Sequence, residues 1–295
     1  MHLLKCTAYN RAVSRRLSNT MSRTPWKWQT KLQSVLTELL VPDSESPLIL
    51  SLETATRAGS VALSRGDVVL SLRAGEAQIS HSTKLLQSVE EVLAEAAASL
   101  ADVQLFAAAS GPGSFTGLRI GLATVKSFAA TCSRKCAGIP TLAAVAHAAG
   151  PSVATLAMIP AGRGEVFVQL FSVDENGTVT PLNEAAHKTP ERLLDSLSGL
   201  GHLTFAGEGA RQHERLLQAR AEAEGIRLVE VNEALPPAIE DVEKLWIISR
   251  ESDALAADIA ALAYRLYLND ETIGPEQLRA IYVRLSDAEL NAQEP

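Results

Sequence analysis

The chain has 295 residues, enough for one large domain or two modest ones. With 46% of residues in the AVILMFWYC group and 21% charged, it is not a largely disordered polypeptide. The net charge of −7 is unevenly spread: residues 1–47 are net +4, and the remaining 248 residues are net −11. An acidic body argues against broad nucleic-acid binding through its own surface field and leaves any RNA contact to a local patch or a basic partner.

Residues 1–47 read as a basic N-terminal extension, disordered, with seven Lys/Arg and no acid before residue 37. No continuous apolar stretch marks a secretory signal; the Arg- and Ser-rich composition formally resembles an organellar transit peptide, or an upstream start with true initiation at Met21 or later. Pro42 to Pro47 is a turn-prone linker, and folded structure is expected from Leu48. Leu48–Leu52, Gly59–Ser64 and Val68–Leu72 read as a three-stranded antiparallel meander. Apolar residues at Leu85, Leu86, Val89, Val92, Leu93 and Ala96 predict a helix over 82–99, with Ser82 as N-cap.

A buried strand at 103–109 runs into Ser110-Gly111-Pro112-Gly113-Ser114-Phe115-Thr116-Gly117, followed by helices at 118–131 and 141–149. Strand, meander, helix, strand, glycine loop and helix form an α/β unit. The theme returns more weakly: strands at 153–159 and 165–173, a hairpin turn at Glu175-Asn176-Gly177, and a helix opened by Thr189-Pro190-Glu191. A strand at 203–206, a helix over 210–224, a strand at 227–231 and a helix over 253–268 capped by Ser252 or Asp253 complete it. The domains are expected at 48–150 and 151–289.

Two loops carry candidate chemistry. Glu53-Thr54-Ala55-Thr56 follows a buried strand, and hydroxyls and N–H groups at such a turn can receive a phosphate, with Glu53 holding Mg²⁺ through water. The ordinary alternative is a hairpin with Thr-rich turn chemistry. In the second loop, Gly111, Gly113 and Gly117 permit close approach to a ligand or to another backbone, and Ser114 or Thr116 can cap the following helix. The loop is neither GxxxxGK[ST] nor GxGxxG, so the usual phosphate-loop and dinucleotide fingerprints are excluded. Its ordinary alternative is a tight turn that fixes helix placement.

Hydrolytic constellations are poor. The six histidines (His2, His81, His147, His187, His202, His213) never pair at i,i+4, HExxH is absent, and Ser114 is not in a GxSxG elbow. Cys6, Cys132 and Cys136 give no disulfide framework and no metal-ligand spacing, which suits reduced thiols in a cytoplasmic protein. The uncharged run 136–161 is Ala-rich and broken by Pro140, Pro151 and Pro160, so no membrane span is expected.

The run Leu50-Ser51-Leu52-Glu53-Thr54-Ala55-Thr56, the His81-Ser82-Thr83 helix start and above all Gly111-Pro112-Gly113-Ser114-Phe115-Thr116-Gly117-Leu118-Arg119-Ile120-Gly121 resemble the TsaB (YeaZ) family. Gly162-Arg163-Gly164-Glu165-Val166-Phe167 and Tyr282-Val283-Arg284-Leu285-Ser286-Asp287-Ala288-Glu289 add to the resemblance, which spans about 48–289. It implies an actin-like/Hsp70-like ATPase fold of two related ribonuclease-H-like subdomains. It further implies a non-catalytic subunit that pairs with TsaD to support threonylcarbamoyl transfer to the adenosine next to the anticodon of tRNA. TsaE, an ATPase, would join the pair; ATP and metal would sit on those partners, with none in this chain, and tRNA would be met only indirectly. The alternative is an independent ATP-binding phosphotransferase or peptidase of the same fold.

Against that pattern, Leu85 stands where a second histidine would complete a metal pair with His81, Glu53 replaces the usual Asp, and Pro160 replaces another. The loop residues Glu53, Thr54, Thr56, Gly111, Gly113, Ser114, Thr116 and Gly117 would then be vestigial. Partner binding is implied to use the first two helices, and the expected face comprises Leu85, Leu86, Val89, Leu93, Ile120, Gly121 and Thr124, with a homodimer through the same helices as an alternative to TsaD.

Overall fold

The computed structural model describes residues 45–75, 81–197, 199–231, 244–250, 252 and 254–283, with backbone alone at 81–83. The basic extension up to residue 44, the Ser82 cap, Asp253 and the motif residues 284–289 lie outside the described residues.

The first half comprises β1 (Leu48–Glu53), β2 (Ser60–Arg65), β3 (Val68–Ala74), α1 (His81–Glu95), β4 (Leu105–Gly111), α2 (Phe115–Thr131), β5 (Lys135–Pro140) and α3 (Thr141–Ala149). The second comprises β6 (Ser152–Gly162), β7 (Glu165–Val173), β8 (Val179–Pro181), β9 (Ala186–Lys188), α4 (Pro190–Ser196), β10 (His202–Ala206), α5 (Glu208–Gln212) and α6 (Glu214–Glu224). It closes with β11 (Arg227–Glu230), β12 (Leu245–Ile248) and α7 (Ala256–Leu268).

The first sheet has the order β3-β2-β1-β4-β5. β1 pairs antiparallel with β2 and parallel with β4, which sets Leu50 between Leu63 and Phe106. Both faces of these central strands are covered, so β1 and β4 are buried at every residue and read as predominantly apolar runs. The second sheet runs β11-β12-β10-β6-β7-β8, with β9 added to β7. Here β6 is antiparallel to β7 and parallel to β10, as β1 is to β2 and β4. An antiparallel meander continued by parallel strands thus occurs twice, which is the ribonuclease-H-like unit in duplicate.

Helices α1 and α2 cover one face of the first sheet; Leu85, Val89, Val92, Leu93, Leu122 and Val125 pack on Leu50, Leu52, Leu63 and Phe106. Residue 150 separates the strands of the two halves but not the helices. α7, near the C-terminus, returns to the free face of the first sheet, where Ile259, Ala260 and Ala263 meet Ile49, Leu105 and Ala107. α3 lies between the two sheets, with Leu142 and Val145 against Ile159, Phe167 and Ala206. On the far face of the second sheet, Leu193, Leu197 and Leu217 bury Phe205 and Trp246.

Several boundaries differ from the sequence reading. α1 stops at Glu95 because Ala97 takes φ +50° and its neighbour Ala98 donates back to the Leu93 carbonyl. The helix expected over 210–224 is two helices broken at His213. α7 begins at Ala256, and its first turn is held by strand hydroxyls rather than a local cap: Ser60 Oγ accepts the Ala256 N–H (3.0 Å), and Ser51 Oγ donates to the Ala256 carbonyl (2.7 Å). β5 and β12 add strands the sequence reading lacks. β5 carries Gly138 and Pro140 and reads as a loop, but its edge is covered by the returning chain, with Cys136 and Ile273 exchanging backbone hydrogen bonds.

Candidate functional site

The carboxyl ends of the parallel strands in both sheets face one cleft, the place where an open α/β sheet ordinarily takes a ligand. The cleft is lined by Glu53, Thr56, Val145, Ile159, Glu208 and Leu255 and encloses about 50 Å³. Pockets that bind small organic molecules typically hold about 300–1,000 Å³.

The first loop leaves β1 at Glu53, whose side chain is only 1% exposed. Its Oε1 accepts the N–H of Ala55 (2.6 Å) and of Thr56 (2.7 Å), and its Oε2 accepts the Thr56 hydroxyl (2.6 Å). The donors expected to receive a phosphate are therefore already bonded to an anion from the same chain. Thr54 is buried and turns away from the cleft, donating its hydroxyl to the Gly117 carbonyl (2.8 Å).

The glycine loop is packed in the same self-contained way. The Ser114 N–H donates to the Ala55 carbonyl (2.7 Å), and Ser114 Oγ caps α2 by accepting the Gly117 N–H (3.2 Å). A Cβ at Gly113 would lie 2.5 Å from the Ala55 oxygen, and one at Gly117 would lie 1.9 Å from the Thr54 oxygen. Gly111, at φ +115°, has the Ile281 oxygen 2.4 Å from its own Cβ position. These glycines admit neighbouring backbone, not a ligand. Of the two openings left by the sequence, the tight structural turn describes this loop. Thr116 is exposed on the first turn of α2.

The N–H groups of Ala55, Thr56, Ser114 and Gly117 are occupied within the chain and the cleft is small, so these residues fit a bound nucleotide poorly. Among the described residues no group of three or more His, Cys, Asp or Glu is placed to hold a metal ion. The His81 side chain lies outside the described residues, and Leu85, four positions on, is buried. Burial pushes the Cys136 thiol up to about 11, so it stays protonated. No described helix is long and apolar enough to cross a membrane.

The expected partner face divides. Leu85, Val89 and Leu93 belong to the core cluster, and Gly121 is buried with its Cβ position 2.2 Å from Thr54 Oγ1. Those four point inward, because the sheet beneath α1 and α2 takes the apolar stripe of each helix. Ile120 and Thr124 are half-buried at the edge of that stripe. The solvent side of α1 and α2 is mixed: charged and polar residues such as Lys84, Glu90, Glu91 and Arg119 stand beside Leu86, 56% exposed, and a row of small residues, Ala123, Ser127 and Ala130.

Two further groupings join residues that are far apart in the sequence. Asp258 Oδ1 lies 2.8 Å from His147 Nδ1, joining α7 to α3, and burial raises the Asp258 carboxyl above its ordinary range despite that partner. Arg265 on α7 donates to the Asn176 carbonyl and to Thr178 Oγ1 (3.1 Å), tying the β7–β8 turn to the first sheet's helix layer. The second grouping is an exposed stack: the Arg119 guanidinium lies 3.7 Å from the Phe115 ring centroid, and Phe115 and Tyr282 are 5.5 Å apart.

Fold and site together define a two-lobed, ribonuclease-H-like protein of the actin-like/Hsp70-like ATPase class whose nucleotide loops close on themselves. The family model "TsaD: tRNA N6-adenosine threonylcarbamoyltransferase" matches residues 75–260. The chain is 28% identical over 240 residues to the tRNA threonylcarbamoyladenosine biosynthesis protein TsaB of Escherichia coli (strain K12), covering 80% of this chain and 94% of that one. It is 32% identical over 150 residues to an uncharacterized protein of Mycobacterium tuberculosis (strain ATCC 25618 / H37Rv), covering 50% of this chain and 69% of that one. YeaZ from Pseudomonas aeruginosa superposes with a TM-score of 0.60 at 24% identity, covering 80% of this chain and 99% of that one. The chain belongs to the TsaB (YeaZ) family, within the wider group that the TsaD model describes.

Proposed function

We propose that this chain is a non-catalytic subunit that pairs with a TsaD protein and supports threonylcarbamoyl transfer to tRNA, as the name of its Escherichia coli relative suggests. The observation that carries the reading is the Glu53 carboxylate bound to the Ala55 and Thr56 N–H groups and the Thr56 hydroxyl, which are donors a phosphate in this loop would need. A subunit that binds no nucleotide contributes through its surface. The outer faces of α1 and α2 supply one, since Ala123, Ser127 and Ala130 let a partner helix approach closely and Leu86 offers apolar area beside them. ATP and metal then belong to TsaD and TsaE, TsaE acts on the assembled pair, and the cytoplasm is the compartment. A homodimer through the same face is the resting alternative to the heterodimer, because one patch cannot serve both at once.

Gel filtration with the cognate TsaD tests the pairing, and titration of the isolated chain with ATP and Mg²⁺ tests the closed loops. A TsaD that elutes separately and gains no activity from this chain sinks the scaffold reading. Tight ATP binding by the isolated chain would favour the independent enzyme instead.

A further inference from the structure

We infer that the rim formed by Phe115, Arg119 and Tyr282 is a contact surface for an unpaired nucleotide of an RNA strand. The inference rests on the reading that the chain works in an RNA-modifying pair, and it gives the chain a direct RNA contact that an acidic body alone would not suggest.

Phe115 is 37% exposed and Tyr282 51% exposed, yet neither ring is loosely held. Phe115 opens α2 directly after the cap Ser114. Tyr282 follows Ile281, whose N–H donates to the Ser110 carbonyl (2.7 Å) at the end of β4, while the Ile281 carbonyl fills the space beside Gly111. The two rings stand 5.5 Å apart at 41°, and Arg119, one turn along α2, lays its guanidinium over Phe115 at 3.7 Å. Two anchored aromatic rings with an arginine across one of them offer stacking faces and a cation together. Proteins that bind single strands use that combination for base and phosphate. Bases in a duplex are already stacked on one another, so the surface suits an unpaired one.

Charge selects this occupant over an apolar protein segment. Residues 48–295 are net −11, so over the chain as a whole a polyanion needs a local cationic group to bind. Exposed arginines stand at the cleft end of the strands. Arg57 on the β1–β2 turn, Arg119, Arg163 on the β6–β7 turn and Arg250 after β12 are exposed. Of the described carboxylates at the same end, Glu53 is engaged by backbone N–H groups and Glu208 by Gln212 Nε2 (2.8 Å). Exposed arginines at that end attract a phosphate chain and bias where it lands.

The test uses the full chain, alone and reconstituted with TsaD, titrated with fluorescently labelled tRNA and with a single-stranded oligouridylate. Phe115→Ala and Tyr282→Leu are each expected to weaken RNA binding roughly ten-fold, with Tyr282→Phe near wild type. Arg119→Gln should lower the slope of log affinity against log salt by about 1. Thermal melting should stay unchanged, and a 4-thiouridine crosslink should map to Phe115 or Tyr282. Wild-type RNA affinity in both aromatic variants would overturn the inference. So would protection of Phe115 and Tyr282 by TsaD alone, which would make a protein the occupant. Should the pair fail to form, RNA binding by the chain alone still decides the question, and only the scaffold reading falls.

Discussion

Replacing Glu53 should expose how much of the first loop depends on one internal anion. The carboxylate accepts three hydrogen bonds of 2.6–2.7 Å while 1% exposed, and its donors differ in their access to water: Ala55 is 4% exposed and Thr56 half-buried. In Glu53→Ala the Ala55 N–H is stranded, at about 1–3 kcal/mol, while Thr56 recovers part of its loss from solvent. Adding the lost charge-assisted bonds gives about 3–5 kcal/mol in total. Glu53→Gln retains an acceptor for the two N–H groups and an amide that can donate to the Thr56 hydroxyl, so about 1–2 kcal/mol is expected. At roughly 2–4 °C per kcal/mol for a chain of this size, scanning calorimetry should show a Tm loss near 10 °C for Ala and less than half that for Gln. Inorganic phosphate should restore part of the loss in Glu53→Ala and do little for wild type, because only the variant has free loop donors. If Glu53→Ala melts within about 2 °C of wild type, the carboxylate is not what holds the loop.

Three further outcomes follow from the packing. Val89→Arg should unfold the chain, since Val89 is 4% exposed in the core beneath α1, whereas Ala123→Arg or Leu86→Arg should abolish pairing with TsaD at an unchanged Tm; gel filtration beside a melting curve separates the two. Gly117→Ala should cost about 2–3 kcal/mol in urea denaturation because its Cβ would sit 1.9 Å from the Thr54 oxygen, while Gly164→Ala, with open space and only φ +79° to contend with, should cost about 1 kcal/mol. Asp258 is held above the ordinary 3.8 by burial, so the folded state keeps its proton longer than the unfolded chain does. Its contribution is therefore fullest below pH 3.8 and is lost as pH rises through the raised value. Asp258→Asn should gain on wild type across that window when Tm is followed against pH, and parallel profiles would refute the assignment.

The sequence showed the strands best where both sheet faces are covered. Leu48–Glu53 and Leu105–Gly111 are predominantly apolar because no side of the strand meets water, and they read as buried strands without difficulty. β5 was hidden for the opposite reason: Lys135-Cys136-Ala137-Gly138-Ile139-Pro140 is stabilised by parallel pairing with β4 and by Leu278 filling the space over Gly138, and neither partner is near in sequence. The helix faces were misjudged by a subtler route. Apolar residues on α1 were plentiful enough to suggest a surplus, but the sheet uses Leu85, Val89, Val92 and Leu93, which leaves Leu86 alone on the outside. On α2 the exposed row is Ala123, Ser127 and Ala130, residues whose smallness makes them nearly silent in any apolar periodicity. The pairing of His147 with Asp258 joins residues 111 positions apart and left no trace in local pattern.

The two loops suit the proposed role, in which a nucleotide-like motif serves without a nucleotide. Glycine is required wherever a backbone must come close to something, and the requirement does not depend on whether that something is a phosphate or another peptide group. Gly113 and Gly117 press on Ala55 and Thr54, so each loop is the other's ligand. Substitution at either glycine would then push α2 off the first sheet, and α2 carries both the small-residue row and Phe115. The loop is kept for the position of that helix. Glu53 completes the arrangement by supplying inside the fold the negative charge that a phosphate would otherwise bring, with three donors satisfied and no dependence on ligand concentration. On the proposed reading, such internal contacts favour one arrangement of the outer helices without a ligand, which is what a partner that needs a fixed surface can use.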